Sequence, residues 1–150
     1  MPKVLIAEDD LTIAAIVQQI LTDEGYDVCG IARTVAVAVA LSQCHEPDLA
    51  IIDLRLAGGG LGSEIPAQLG VRSKLGVLYA SGSIEQIRLT ADDGEACLAK
   101  PYRPSDLLRG LEIVAGIVAT GKASPPFPRG FFVLRSAAGP GRMAQPRWRA

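Results

Sequence analysis

This sequence of 150 residues is short of several features, and each shortage excludes a class of protein. No apolar run approaches the ~20 residues of a membrane-spanning helix, and the start of the chain lacks a signal peptide, because its apolar run is brief and turns acidic. The three cysteines, Cys29, Cys44 and Cys97, are odd in number and widely spaced, which suits reduced thiols better than disulfides or a zinc site. The single histidine, His45, is predicted to lie in a loop and not to bind a metal. Together these shortages predict a cytoplasmic globular domain with no membrane partner.

Acidic residues are absent from the last 30 residues of the chain. The first 120 residues contain all 16 acids and nine of the 15 basic residues, a net charge of −7, whereas the last 30 contain the other six and carry +6. Because the last 30 also hold five of the ten prolines, we predict a folded domain over residues 1–121 and a basic, largely irregular tail over 122–150, with one strand-like piece at 131–134. The tail has no helix-turn-helix pattern, so no DNA-binding domain is predicted. Contact of the tail with nucleic acid, with an acidic membrane or with the acidic body is left open, and we favour no adapted function for it.

Five short apolar runs alternate with helical patterns along the folded domain. Such runs build a parallel sheet that is buried on both faces, because helices cover both of its sides. Right-handed crossovers then predict an α/β fold of the flavodoxin-like type, a doubly wound five-stranded parallel sheet with strand order 2-1-3-4-5. The predicted strands are 3–7, 27–32, 48–53, 75–80 and 96–99, and the predicted helices are 11–24, 34–43, a short one capped by Ser63, 84–90, and a last one capped by Ser105 and ended by Gly121.

Two segments allow more than one interpretation. Residues 35–41 alternate valine and alanine, which on its own favours a strand, but a crossover is needed between the neighbouring parallel strands, so we predict a helix. Residues 57–63 include four glycines. They lack the lysine and the spacing of a P-loop, so we predict a mobile loop and not a phosphate cradle.

Polar residues follow the carboxyl ends of four predicted strands, where ligands bind in open α/β sheets. Glu8, Asp9 and Asp53 would repel one another at close quarters, and a hard cation with oxygen ligands, Mg²⁺, would relieve that repulsion. Ser81 and Lys100 would bind a second anion opposite the metal, most simply a phosphoryl group on Asp53, since carboxylates can act as nucleophiles that form aspartyl phosphate. The metal and Lys100 would neutralise charge on the transferring group.

Four motifs in this order and spacing resemble the receiver domain of two-component response regulators, over about residues 3–120. They are the acidic pair Glu8-Asp9, the strand end Ile51-Ile52-Asp53-Leu54-Arg55-Leu56, the turn Ala80-Ser81-Gly82 and the turn Lys100-Pro101. The resemblance is to a single-domain receiver like the chemotaxis regulators. It implies a phosphorelay protein that signals through protein–protein contacts and has no enzymatic turnover beyond its own phosphotransfer and dephosphorylation.

The resemblance also implies a role for each site residue. Asp53 would accept the phosphoryl group from a histidine kinase or a phosphotransfer protein. Mg²⁺ would be bound by Asp9, Asp53 and the backbone carbonyl of Arg55, with Glu8 acting mainly through water. The groups implied to contact the phosphoryl oxygens are the Ser81 hydroxyl and the Lys100 ammonium.

Two positions depart from the family pattern. The family often has an aromatic residue three positions before the lysine, where this chain has Cys97, although a subgroup with a strand end like Tyr79-Ala80-Ser81-Gly82 also tends to lack it. Ala57 stands where the family usually has proline, which suggests a looser loop. We expect an unidentified downstream protein to contact the face formed by Cys97–Leu111. The sequence leaves open whether the chain is a monomer or a homodimer.

Two other functions fit parts of the pattern. A receiver-like docking module that is not controlled by phosphorylation would keep the fold and lose the switch, although every acceptor group is present. A haloacid-dehalogenase-type phosphatase also forms aspartyl phosphate on a similar sheet, but Glu8 stands where its nucleophile belongs. The acidic pair expected after its lysine is missing too, since Asp92 and Asp93 precede Lys100.

Overall fold

The computed structural model describes residues 1–70, 73–82 and 88–135. The strands of this described part are β1 (Lys3–Ala7), β2 (Asp27–Ala32), β3 (Leu49–Asp53), β4 (Gly76–Ser81), β5 (Ala96–Ala99) and β6 (Phe131–Val133). They form one sheet in the order β2-β1-β3-β4-β5-β6. The first five are parallel, in the predicted order and within one residue of the predicted bounds, and β6 pairs antiparallel with β5.

The helices in the described ranges are α1 (Leu11–Asp23), α2 (Val35–His45), α3 (Glu64–Leu69) and α4 (Pro104–Thr120). Residues 35–41 are therefore helical, as predicted, although valine and alanine alternate there. Thr34 caps α2 by accepting a hydrogen bond from the Val37 amide at 3.2 Å. The connection from β2 to β3 has to cross over the sheet, and that requirement overrides the local strand preference.

The buried side chains form two layers, one on each face of the sheet. Neighbouring residues of a strand point to opposite faces. Thus Ile51 lies in the layer under α1 and α4, and Ile52 lies in the layer under α2 and α3. This two-sided burial is the reason why the strands are continuous apolar runs and why only their ends carry polar groups.

Some details of the helices differ from the predictions. Ser105 does not cap α4; Arg103 is the N-cap residue, and Pro104 takes the first helical position, where its missing N–H is tolerated and its fixed φ suits the helix. His45 was predicted in a loop and is the last residue of α2. The predicted helix 84–90 lies mostly outside the described residues, and 88–90 have no regular structure.

The glycine-rich loop after β3 folds back on itself. Residues 57–59 form a 3₁₀ turn in which Gly58 and Gly59 adopt φ of +79° and +81°, a region that favours glycine. The Leu56 amide donates to the Gly60 carbonyl at 2.9 Å, and the Ala57 amide donates to the Arg33 carbonyl at 3.0 Å. The loop is therefore tied to the end of β2, a constraint that its glycine content did not indicate; its mobility stays a prediction.

Residues 122–135, which we call the C-terminal strap, pack against the sheet and α4. The strand-like piece predicted at 131–134 is confirmed as β6. Phe131 is 7% exposed and belongs to the core layer of α1 and α4. Pairing with β5 and the buried ring stabilise this strand within a tail that was otherwise predicted to be irregular. Residues 136–150 lie outside the described part of the chain.

Candidate functional site

Three carboxylates meet at the carboxyl end of the sheet. Glu8 and Asp9 directly follow β1, and Asp53 is the last residue of the adjacent strand β3. One carboxylate oxygen of each lies within 4.8 Å of those of the other two. Parallel pairing of Ala7 with Ile52 places the ends of the two strands side by side. The predicted acidic cluster is thus assembled in the structure.

Lys100 completes the cluster from the other side. It follows β5, two strands away from β3, and its long side chain reaches back across the end of the sheet. Its Nζ lies 3.3 Å from Glu8 Oε1 and 3.3 Å from Asp53 Oδ2. Burial would lower the pKa of Lys100, but the two carboxylates outweigh burial and raise it. Lys100 is therefore held in its charged form beside Asp53.

The acidic cluster carries more negative charge than Lys100 neutralises. Glu8 is 6% exposed, and burial, together with the nearby charge of Asp53, raises its pKa, against the opposing effects of a hydrogen bond from the Asp10 amide and the charge of Lys100. Three carboxylates face one ammonium in this part of the structure. Oxygen donors of this kind are the ligands that Mg²⁺ prefers. The donor set therefore fits the predicted magnesium site.

Replacing Glu8 with glutamine should stabilise the metal-free protein at neutral and higher pH. Because the pKa of Glu8 is higher in the folded than in the unfolded chain, the folded chain binds the proton more tightly, and the wild type loses stability as the pH rises above the usual glutamate pKa of about 4.3. Glu8→Gln removes that loss. Urea unfolding in EDTA at several pH values checks it: the variant should be more stable at pH 7.5, and the difference should shrink towards pH 4. A variant that is less stable than the wild type at pH 7.5 would contradict this account.

The Asp53 carboxylate is held on two sides. Its Oδ2 faces Lys100, and its Oδ1 accepts a hydrogen bond from the Arg55 amide at 3.4 Å. Arg55 is itself held by an isolated antiparallel bridge to Leu61. The Arg55 backbone thus lies next to Asp53, as the prediction requires, while the role of its carbonyl as a metal ligand stays a prediction.

Gly62 is a positioning residue that sequence reasoning missed. It is buried behind Asp53, and its amide donates to the Leu54 carbonyl at 2.8 Å. A Cβ at this position would lie 2.4 Å from the Asp53 carbonyl oxygen and 2.4 Å from Ile52 Cγ2. Only glycine fits so close to that backbone. The loop contains four glycines, and nothing in their spacing indicates that this one contacts the backbone of Asp53.

Ser81 lies at the end of β4, between Asp53 and Lys100 in the order of the sheet. Asp53 pairs with Ala80, the residue before it, and the Ser81 carbonyl accepts a hydrogen bond from the Lys100 amide at 2.9 Å. Ser81 is 6% exposed. The strand register therefore places Ser81 at the same end of the sheet as Glu8, Asp9, Asp53 and Lys100.

Cys97 and Tyr79 pair across β5 and β4 in the layer under α2 and α3. Burial raises the pKa of the Cys97 thiol to about 12, so this cysteine stays a neutral thiol. Tyr79 is fully buried, and its hydroxyl donates to the Asp93 carbonyl at 2.6 Å. The Tyr79 ring beside Cys97 is thus fixed in the core by a hydrogen bond.

The geometry agrees with comparisons against known proteins. The family model of the response regulator receiver domain matches residues 4–112. The transcriptional regulatory protein PdtaR of Mycobacterium tuberculosis is 34% identical over 115 residues, which cover 74% of this chain and 55% of that protein. The phyllosphere-induced regulator PhyR of Methylorubrum extorquens is 30% identical over 108 residues, which cover 70% of this chain and 40% of that protein. This chain spans about half the length of the curated relatives it matches.

Solved structures agree as well. The signal receiver domain of a modulated diguanylate cyclase from Desulfovibrio desulfuricans is 28% identical, with a TM-score of 0.68, over 81% of this chain and 99% of that domain. A CheY-like receiver domain protein from Methanospirillum hungatei has the same TM-score of 0.68 at 23% identity, over 81% of this chain and 99% of that chain, and supports the fold alone.

Proposed function

The chain belongs to the response regulator receiver family of two-component signalling, and on that premise we propose that it is a module switched by phosphorylation of Asp53. One observation carries the proposal: the Asp53 carboxylate lies between two further carboxylates and a charged lysine, all at the carboxyl end of one sheet. Acetyl phosphate with Mg²⁺ tests it, because one phosphoryl group should be added to Asp53 and none to the Asp53→Asn variant.

The transfer step follows from this arrangement. A carboxylate oxygen of Asp53 forms a bond to phosphorus while the bond from phosphorus to the donor breaks, and the donor group leaves with that electron pair. Asp9, Asp53 and the backbone carbonyl of Arg55 would hold Mg²⁺, with Glu8 acting mainly through water. The ion would neutralise part of the negative charge on the phosphoryl oxygens.

Two residues respond to the new charge in this proposal. The acyl phosphate on Asp53 carries about −1.5 to −2 charges, where the free carboxylate carried −1. The Lys100 ammonium, already 3.3 Å from Asp53 Oδ2, pairs with a phosphoryl oxygen, and the Ser81 hydroxyl donates to another. Their amide–carbonyl bond couples the ends of β4 and β5, so the two residues close on the phosphoryl group together. This closure shifts a pre-existing equilibrium between two states.

A protein donor, either a histidine kinase or a phosphotransfer protein, has a surface to bind next to Asp53. Ile16 on α1 is 56% exposed and borders an apolar groove that continues to Pro101 and Tyr102, beside Lys100. Exposed apolar patches of this kind mark protein contacts. A donor that covers the groove would bring its phosphohistidine close to Asp53.

The proposal includes no turnover beyond phosphotransfer and loss of the chain's own phosphoryl group. A cytoplasmic location is part of it; no helix within the described ranges is long and apolar enough to cross a membrane. The competing function, a docking module that is not controlled by phosphorylation, would give no labelling with acetyl phosphate despite an intact acidic cluster. A phosphatase of the haloacid-dehalogenase type is not proposed, because Glu8 stands where its nucleophile belongs.

Magnesium should stabilise the folded chain. The ion binds the assembled carboxylates and not the dispersed ones of the unfolded chain, so at about 100 times its Kd the gain is about 2.7 kcal/mol. For a domain of this size that gain corresponds to a rise in Tm of about 5–10 °C. Calorimetry with and without Mg²⁺ at equal ionic strength checks it. The Asp9→Asn variant should lose most of the rise, and an equal rise in that variant would place the ion elsewhere.

A further inference from the structure

We propose that the C-terminal strap occupies a strand-binding surface on β5 and α4, and that phosphorylation of Asp53 loosens the strap and opens this surface to an extended aromatic segment of a partner protein. The trigger rests on the proposed function, since it needs a phosphoryl group on Asp53. The surface coincides with the Cys97–Leu111 face at which a downstream protein is expected. In the described structure, the chain's own residues cover part of that face.

The strap adds a strand to the edge of the sheet. β6 pairs antiparallel with β5, with Leu98 opposite Phe131 and Ala96 opposite Val133. Backbone hydrogen bonds extend the pairing at both ends: the Ala99 amide donates to the Gly130 carbonyl at 2.9 Å, and the Leu134 amide donates to the Glu95 carbonyl at 2.9 Å. Strand addition of this kind is a general mode of peptide recognition, in which the backbone supplies affinity and side-chain pockets supply specificity.

One side chain of the strap fills a prepared pocket. The Phe131 ring is buried against α4 and stacks on Phe127, with ring centroids 6.0 Å apart and planes 6° from parallel. Gly110 of α4 makes room for the ring, because a Cβ there would lie 3.2 Å from Leu78 Cδ2 and 3.4 Å from Phe131 Cε2. The surface therefore selects an aromatic side chain at this register position.

The rest of the strap is held by polar bonds at the surface. The Arg109 side chain donates to the Pro126 carbonyl at 3.0 Å and to the Ser124 carbonyl at 2.7 Å, and it pairs with Glu112 at 3.2 Å. Arg109 is partly exposed, and exposed charged contacts contribute little to stability. A short strand, one buried ring and exposed polar bonds make a reversible attachment.

The end of β5 connects the strap to the phosphorylation site. The Ala99 amide bonds to Gly130 of the strap, while the next residue, Lys100, has its Nζ 3.3 Å from Asp53 and its amide bonded to Ser81. A Cβ on Gly130 would lie 3.1 Å from Ala99 Cβ, so the two backbones are in close contact. When Lys100 and Ser81 close on a phosphoryl group, Ala99 shifts with them and the strap loses its fit to β5.

Hydrogen exchange on the full chain tests the trigger. Samples are treated with acetyl phosphate and Mg²⁺, and phosphate incorporation by intact mass is measured on the same samples as exchange of the 131–134 amides. Exchange should be at least ~10-fold faster in the phosphorylated wild type and unchanged in Asp53→Asn. Phosphate incorporation without faster exchange would overturn the strap proposal alone. No incorporation in the wild type would overturn the proposed function and, with it, the trigger.

A binding measurement tests the surface without phosphorylation. The probe is a fluorescent peptide with the sequence of residues 126–135, added to the full chain. Phe131→Ser removes the buried ring and should bind the peptide at least ~10-fold more tightly than the wild type, because its own strap competes poorly. Phe132→Ser is the matched control, since Phe132 is the next residue and is 41% exposed. Equal affinity of all three proteins, or binding by none, would refute a strand-binding surface under the strap.

Discussion

Replacing Asp53 with asparagine should abolish phosphorylation by acetyl phosphate, with labelling at least ~100-fold below that of the wild type, because a carboxamide is not a nucleophile that forms an acyl phosphate. The substitution keeps the size of the side chain and an oxygen that can accept the Arg55 amide, so the fold should persist. Without Mg²⁺ the variant should be at least as stable as the wild type, since it removes one of the charges that raise the pKa of Glu8.

The measurement is intact mass together with release of the label by hydroxylamine, which cleaves acyl phosphates. Asp27→Asn is the matched control, because Asp27 is an exposed carboxylate at the amino end of β2, away from the site. The control should be labelled like the wild type. Equal labelling of Asp53→Asn and the wild type would move the acceptor to another residue, and an unlabelled wild type would favour the docking-module function.

Replacing Gly62 with alanine should destabilise the fold by about 2–4 kcal/mol, although only a methyl group is added. The new Cβ would lie 2.4 Å from the Asp53 carbonyl oxygen and from Ile52 Cγ2, and both atoms belong to the buried strand β3. Neither can move without shifting the strand that carries Asp53. The variant should therefore also be phosphorylated more slowly, because the carboxylate is displaced from Lys100.

Urea unfolding of Gly62→Ala beside Gly116→Ala checks this prediction. Gly116 lies inside α4, where the nearest atom to a new Cβ is the Lys122 carbonyl oxygen at 3.9 Å, and alanine is favoured over glycine in a helix by up to ~1 kcal/mol. The control should be as stable as the wild type or more stable. A Gly62→Ala variant within 1 kcal/mol of the wild type would mean that the loop moves aside and does not position Asp53.

Much of the site could be predicted because its signals are local. Asp53 and Lys100 each end an apolar run. Such runs are strands, and in a parallel sheet the carboxyl ends of all the strands lie on the same side. The same locality explains the errors. Ser105 is a good capping residue considered by itself, but the proline before it already suits the first helical position. The segment 35–41 was correctly predicted only because the sheet topology was considered along with its alternation.

The tail combines an irregular composition with one regular element. Five prolines and six basic residues in 30 are typical of irregular chain, and within the strand-like piece predicted at 131–134 three residues form a strand. A strand this short has no stability alone; it forms because β5 offers an edge and Gly110 leaves room for the Phe131 ring. In the same pairing, Phe132 lies opposite Cys97, so the strap places an aromatic residue beside the position where the family often has one.

The sequence by itself determined the parallel sheet, its strand order and the five polar residues at the carboxyl ends of its strands. Apolar runs and the residues that end them are properties of short segments. The tertiary structure alone decided that Lys100 faces both Glu8 and Asp53, that Gly62 supports Asp53 from behind, and that the strap covers β5. These contacts join segments far apart in the chain. Their distances depend on strand register and on the space that neighbouring side chains leave, and no short stretch of sequence encodes either.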